Sequence, residues 1–89
     1  MPSRDVTIAA AVGLHARPAS LFVKAAADTG IPVTIAKQGG APVDARSLLG
    51  VMALGAGHGD TVTLAAEGEG AEAALDGLAE LLGRDLDAA

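Results

Sequence analysis

The chain has no cysteine, no tryptophan and no tyrosine, and a single phenylalanine among 89 residues. Without cysteine there are no disulfides, zinc–thiolate centres or thiol redox chemistry. Without aromatic platforms there is nothing for nucleic-acid bases to stack on. Positive charge is scarce as well: 6 Lys and Arg stand against 11 Asp and Glu, a net charge of −5. That balance argues against nucleic acid as a partner, because phosphate backbones call for a basic surface. No apolar run approaches the roughly 20 residues that span a bilayer, so no direct membrane insertion is expected. The opening residues Met1-Pro2-Ser3-Arg4-Asp5 carry no apolar signal region, and a cytoplasmic location is the expectation. No linker, low-complexity tract or internal repeat interrupts the chain, which reads as one domain over residues 1–89.

What is present is aliphatic. Hydrophobic residues make up 51% of the chain, so Ala, Val and Leu must build the core. From Asp5 to Ala10 apolar and polar positions alternate, with Val6, Ile8 and Ala10 on one side, as in a half-buried strand. A helix is expected from Pro18 to Asp28, with Ala19, Phe22, Val23 and Ala26 as its apolar stripe. Thr29-Gly30 ends it, with Pro32 beyond. Val33–Lys37 reads as a second strand with Val33 and Ile35 inward, Gln38-Gly39-Gly40 as a hairpin-like turn, and Ala41–Val43 as a short third strand. Pro42 marks that strand as an edge, since it cannot donate to a ladder. A short helix over Ser47–Ala53 and a fourth strand over Asp60–Glu67 follow. The last helix has the strongest period, with Ala71, Ala74, Leu75, Leu78, Leu81 and Leu82 on one face and Glu72, Asp76 and Glu80 on the other. Gly77 weakens it and Gly83 caps it.

The order is β-α-β-β-α-β-α. Alternating strands imply a sheet with one covered and one wet face, and so helices packed on the same side in two layers, an α+β fold. A right-handed crossover through the first helix makes strands one and two parallel, and the fourth strand fits between them, antiparallel to both. The pattern of residues leaves the remaining strand order open.

The chemistry is concentrated in Gly13-Leu14-His15-Ala16-Arg17-Pro18-Ala19-Ser20. Gly13 permits a sharp turn after the first strand. Pro18 suits the first helical position, where its missing N–H is no loss, and it pushes Arg17 out of the helical region, so the helix is expected to begin at Pro18 and no earlier. The open N–H groups of Arg17, Ala19 and Ser20 then point back towards His15. A helix N-terminus is an anion site, and Arg17 adds a planar guanidinium suited to phosphate oxygens. The pattern fits an imidazole that holds a phosphoryl group.

Other residues fill in the surroundings. Ser20 and Lys24 share one helix face, with Ala27 next to them, as a solvated stripe or the rim of a docking surface. In the short helix Leu48 and Met52 share one side, Val51 and Leu54 another. A domain this small does not bury such a helix all round, so Leu48, Leu49 and Met52 read as a contact patch and Val51 and Leu54 as core; methionine adapts to several partners. Ser47 stands where an N-cap is wanted. His58 lies in a Gly-rich turn with no second ligand nearby and reads as a surface residue; no metal site and no cofactor are expected.

The octapeptide closely resembles the active-site segment of the HPr family, the histidine-containing phosphocarriers of the bacterial phosphoenolpyruvate-dependent sugar phosphotransferase system. Residues Asp44 to Gly55 look like that family's regulatory-serine segment. The two motifs sit at the family's spacing in a chain of the family's length, so the resemblance covers essentially the whole sequence. It implies an open-faced β-sandwich with an antiparallel sheet of order 1-4-2-3 and three helices on one face. It implies that His15 is the phosphoryl acceptor, through Nδ1, that Arg17 stabilises the phosphate, and that Ser47 is a regulatory site for an HPr serine kinase/phosphorylase. It implies docking through Ser20, Lys24, Leu48, Leu49 and Met52 to enzyme I and to IIA proteins or domains. Such a carrier is not an enzyme, since it is itself substrate and product, and a monomer is expected because one exposed face must visit several partners. Gly50 and Ala27 stand where some members carry charge. A nitrogen-branch paralogue would use the same chemistry for regulation, though the Ser47 block favours the sugar branch. A small-ligand-sensing α+β module would have to treat His15-Ala16-Arg17-Pro18 as accidental.

Overall fold

The computed structural model describes residues 2–84. Met1 and residues 85–89, which the sequence reading includes in its single domain, lie outside the described residues. The elements are β1 (Ser3–Thr7), α1 (Ala16–Asp28), β2 (Val33–Lys37), β3 (Val43–Asp44), α2 (Leu48–Ala53), β4 (Thr61–Ala66) and α3 (Ala71–Leu82).

Strand alternation decides which face of the sheet is covered. In β4, Val62, Leu64 and Ala66 are buried while Thr61, Thr63 and Ala65 are only half-buried. Val33 and Ile35 of β2 continue the buried face. The sheet order is β1-β4-β2-β3, with antiparallel pairing throughout. The register runs Ser3 opposite Ala65 to Thr7 opposite Thr61, and Val33 opposite Ala66 to Lys37 opposite Val62. β1 and β2 are therefore parallel to each other with β4 between them. α3 packs on β1 and β4, α1 packs on α2 and α3, and α2 reaches β3. The core holds Phe22, Ile35, Val51, Leu64, Leu75 and Leu82, none more than 1% exposed. Phe22 is the largest of them; fully burying an apolar side chain of this class contributes roughly 1.5–3 kcal/mol.

Several boundaries differ from the sequence reading. β1 lies at Ser3–Thr7, not 5–10. Ile8 and Ala10 are buried as the alternation requires, but the chain leaves the ladder there. Ile8 N–H still donates to the Asp60 carbonyl at 2.9 Å, whereas Ala9 N–H turns to the Leu82 carbonyl at 3.1 Å. β3 is displaced past Pro42 to Val43–Asp44, because proline supplies no ladder donor. β4 is one residue shorter at each end than expected. Leu54, expected in the core, is half-buried beside fully buried Val51. Gly83 caps α3 with φ −75°, without the left-handed turn often found at that position.

The largest correction concerns α1, which starts at Ala16, two residues before Pro18. Pro18 still falls among the first-turn positions whose N–H has no acceptor inside the helix, so its ring breaks no hydrogen bond. Pro18 is itself buried with Ala19, Phe22 and Ala26, and that packing outweighs the local bias of a pre-proline residue against helical geometry.

Candidate functional site

The site is a loop, residues 8–15, carried from the end of β1 to the start of α1. Gly13 has φ +75°, and a Cβ built on it would stand 2.6 Å from both the Ala56 carbonyl oxygen and the Gly57 Cα. Only glycine permits that approach. It brings Leu14 N–H to the Ala56 carbonyl at 2.9 Å, while Gly13 N–H closes a turn onto the Ala10 carbonyl at 2.9 Å. Leu14 is 2% exposed and anchors the loop in the core. Its neighbour His15 is consequently turned outward and exposed.

His15 is the N-cap of α1, with extended backbone (φ −143°, ψ 152°) and no side-chain capping bond. Its own N–H donates to the Gly13 carbonyl at 3.0 Å. Pro18 has no N–H, so the first-turn donors left open belong to Ala16 and Arg17. The earlier helix start thus moves the open donors from Arg17, Ala19 and Ser20 to the two residues that follow the histidine. Ala16 has φ +47°, the one positive-φ residue other than glycine among the described residues. That conformation costs an L-residue about 1–2 kcal/mol, which the buried Leu14 and Pro18 on either side sustain.

Charge is arranged unevenly. Arg4 pairs with Asp76 and Glu72, Lys37 with Asp60, Arg46 with Asp44 and Arg84 with Glu80. Among the described residues Arg17 and Lys24 are the two cations without an ion pair, and both are exposed on α1. With Ser20 they follow an i, i+3, i+7 spacing, which puts all three on one face of the helix. α2 lies against α1. Leu49 is 83% and Leu48 40% exposed, while Met52 is half-buried. Ser47 caps α2, its Oγ accepting from the Gly50 N–H at 3.1 Å. Ahead of it, Asp44 accepts from both the backbone and the guanidinium of Arg46, which hold its carboxyl below the ordinary carboxylate range. Among the described residues no group of His, Cys, Asp and Glu could hold a metal ion, and no helix is long and apolar enough to cross a membrane. A groove of about 320 Å³ between α1 and α3, lined by Ala25, Thr29, Gly77, Leu78 and Leu81, sits at the other end of α1 from His15. The histidine is offered on the surface, not in a cavity.

A family model described as the PTS HPr component phosphorylation site matches residues 2–84. The chain belongs to the HPr family. Its sequence is 55% identical over 87 residues to the phosphocarrier protein HPr of Streptomyces coelicolor, covering 98% of this chain and 94% of that one. It is 46% identical over 80 residues to the HPr of Haloferax volcanii, with 89% and 90% covered. The crystal structure of an HPr from Bacillus anthracis superposes with a TM-score of 0.86 at 38% identity, covering 91% of this chain and 95% of that one. The protein is thus a phosphocarrier of the phosphotransferase system, with the family's four-stranded open sheet.

The sequence reading missed what supports this loop from below. Lys37 continues the inward period of Val33 and Ile35, and its ammonium reaches Asp60 Oδ2 at 3.6 Å and the Gly55 carbonyl at 3.5 Å. The same Oδ2 accepts from the Gly57 N–H at 2.8 Å. His58, read as a plain surface residue, is exposed, but its Nδ1 lies 3.3 Å from the Ala10 carbonyl. The period-two position of Lys37 was the available signal; its partner 23 residues on was not.

Proposed function

We propose that His15 accepts a phosphoryl group from phosphorylated enzyme I and passes it to IIA proteins or domains, in the cytoplasm and as a monomer. The observation that carries this reading is an exposed imidazole at the N-cap of α1, engaged in no capping bond, followed by open backbone donors and a guanidinium that has no ion pair among the described residues. In each transfer a neutral ring nitrogen attacks phosphorus in line. A new N–P bond forms as the donor's bond to phosphorus breaks, and the donor nitrogen keeps the electron pair. Phosphoryl transfer asks mainly for positioning and charge stabilisation. The α1 N-terminus and Arg17 offer that charge to the phosphate oxygens. Ser20 and Lys24 on α1, with Leu48, Leu49 and Met52 on α2, form the docking face for both kinds of partner.

Ser47 is a second, regulatory acceptor in this reading, served by an HPr serine kinase/phosphorylase. Ser47 is exposed at the start of α2, and a phosphate there sets negative charge inside the docking face, against a partner that is already phosphorylated.

The test is intact-protein mass after incubation with enzyme I and phosphoenolpyruvate, beside His15→Ala. One acid-labile phosphoryl group on the parent and none on the variant is the expected result. Labelling only by a nitrogen-branch enzyme I would assign the chain to that branch. No label from either enzyme would overturn the carrier reading.

A further inference from the structure

The loop that presents His15 is not held by its own residues alone. It rests on the turn at residues 55–59, and the contacts between the two segments are almost all backbone. Leu14 N–H donates to the Ala56 carbonyl at 2.9 Å, and Gly59 N–H donates to the Ile8 carbonyl at 2.9 Å. The Gly57 Cα fills the space where a side chain at Gly13 would stand. The position of His15 therefore depends on where the 55–59 backbone sits.

Side-chain charge adds to what holds that backbone. Asp60 Oδ2 takes the Gly57 N–H at 2.8 Å, the residue that abuts Gly13. The same oxygen lies 3.6 Å from Lys37 Nζ. Lys37 also donates to the Gly55 carbonyl at 3.5 Å, so it grips the turn at its first residue while Asp60 grips the middle. Hydrogen bonds to an ionised acceptor are the stronger kind, and they add to the backbone bond that closes the turn, Asp60 N–H to the Gly57 carbonyl at 3.0 Å, and to the buried Ala56 within it; Gly55, Gly57 and Gly59 have no side chains of their own to pack.

We propose that Asp60 is a positioning residue for phosphoryl transfer at His15: its carboxylate, paired with Lys37, fixes the 55–59 turn on which the His15 loop rests. This rests on the reading of His15 as the phosphoryl acceptor. Asp60 touches neither the imidazole nor the docking face, so its loss displaces the nucleophile without weakening partner binding. Misplacement of a reacting group by about 1 Å can slow the chemical step by on the order of 10²-fold.

The experiment uses the full chain as substrate of phosphorylated enzyme I, comparing the parent with Asp60→Ala, Asp60→Asn and Lys37→Met by rapid quench and by amide NMR. For Asp60→Ala the expected result is a fall in kcat of about tenfold with KM unchanged. Amide shifts should move at Leu14, His15 and Ala56 and stay still from Leu48 to Met52. Asp60→Asn keeps an oxygen acceptor for Gly57 but loses the charge that pairs with Lys37, so it should recover only part of the rate. The effect of Lys37→Met should shrink in the Asp60→Asn background to what its separate bond to the Gly55 carbonyl contributes, because the two side chains are coupled through their ion pair; this second cycle decides the matter if Asp60→Ala does not fold. Parental kcat in a folded Asp60→Ala, a change confined to KM, or additive effects of Lys37→Met and Asp60→Asn would overturn the proposal. A parent chain that takes no phosphoryl group would overturn the functional reading and this inference together, whereas parental behaviour of the variants beside an active parent overturns the inference alone.

Discussion

Gly13 and Gly57 meet backbone to backbone: a Cβ on Gly13 would lie 2.6 Å from the Gly57 Cα, closer than real Cβ atoms come to any neighbour. Two segments 44 positions apart in sequence are thereby locked together two residues before His15. Gly13→Ala must both displace the 55–59 turn and hold alanine at φ +75°. A loss of roughly 2–4 kcal/mol is expected from the strain and the clash together. Urea denaturation measures it, and the folded fraction should accept phosphoryl more slowly than the parent. A parental midpoint would mean the two segments part without cost.

Arg17 is exposed, and among the described residues it has no ion-pair partner. Arg17→Ala should leave stability within about 0.5 kcal/mol, as for other surface changes. Phosphoryl acceptance at His15 should fall by roughly 10²-fold, the scale for removing one charge-stabilising donor from a transfer site. Thermal melts and rapid-quench kinetics on one preparation give both values. Equal losses in each would assign Arg17 to folding.

Ser47 caps α2 through the 3.1 Å bond from Gly50 N–H to its Oγ. Ser47→Ala should cost about 1 kcal/mol, read as a lower denaturation midpoint and faster hydrogen exchange in Leu48–Val51. Ser47→Asp should retain the cap, and its added negative charge should weaken docking to phosphorylated enzyme I. An unchanged KM for Ser47→Asp would remove the electrostatic case for regulation at this residue.

Gly77 sits in the exposed interior of α3, and a Cβ built there meets nothing within 4 Å. Gly77→Ala should therefore stabilise the protein by about 0.5–1 kcal/mol through helix propensity alone. Calorimetry would show a higher Tm with phosphoryl acceptance unaltered. A lower Tm would mean the groove between α1 and α3 has less room than its shape indicates.

Acid should loosen the protein from two points. The Asp44 carboxyl is held below its ordinary range by the Arg46 guanidinium and then the Arg46 N–H; Asp60 is held low by the Gly57 N–H and then by the charge of Lys37. A carboxyl whose folded-state value is depressed adds stability that is fully present above its unfolded value, about 3.9 for Asp, and that is lost as pH falls through the lower folded value. The urea midpoint should be level above about pH 5 and fall below pH 4. Asp44→Asn and Asp60→Asn should each make that fall shallower, and a parental acid limb in both would assign it to other groups.

Much of this protein is written locally. The 3.6-residue period of α3, the cap at Ser47 and the exact extent of β2 depend on neighbours within a few positions, so a reading of adjacent residues finds them. His15, Arg17 and Ser47 stand out for the same reason: a turn, a helix start and a cap are short-range features. The start of α1 was not legible because two local rules gave way to packing. Arg17 entered the helix ahead of a proline, and Ala16 took a left-handed backbone, since Leu14 and Pro18 are buried on either side. The support of the site left one local trace, the period-two position of Lys37 after Val33 and Ile35. Asp60 and Lys37 otherwise look like ordinary surface charges in the chain, and the approach of Gly13 to Gly57 exists only once β4 has settled between β1 and β2. Sequence by itself determined where the turn, the helix start and the cap at His15, Arg17 and Ser47 fall, to within two residues, through short-range conformational preference. Tertiary structure decided what holds the histidine in place, because those contacts join segments that only the folded sheet brings together.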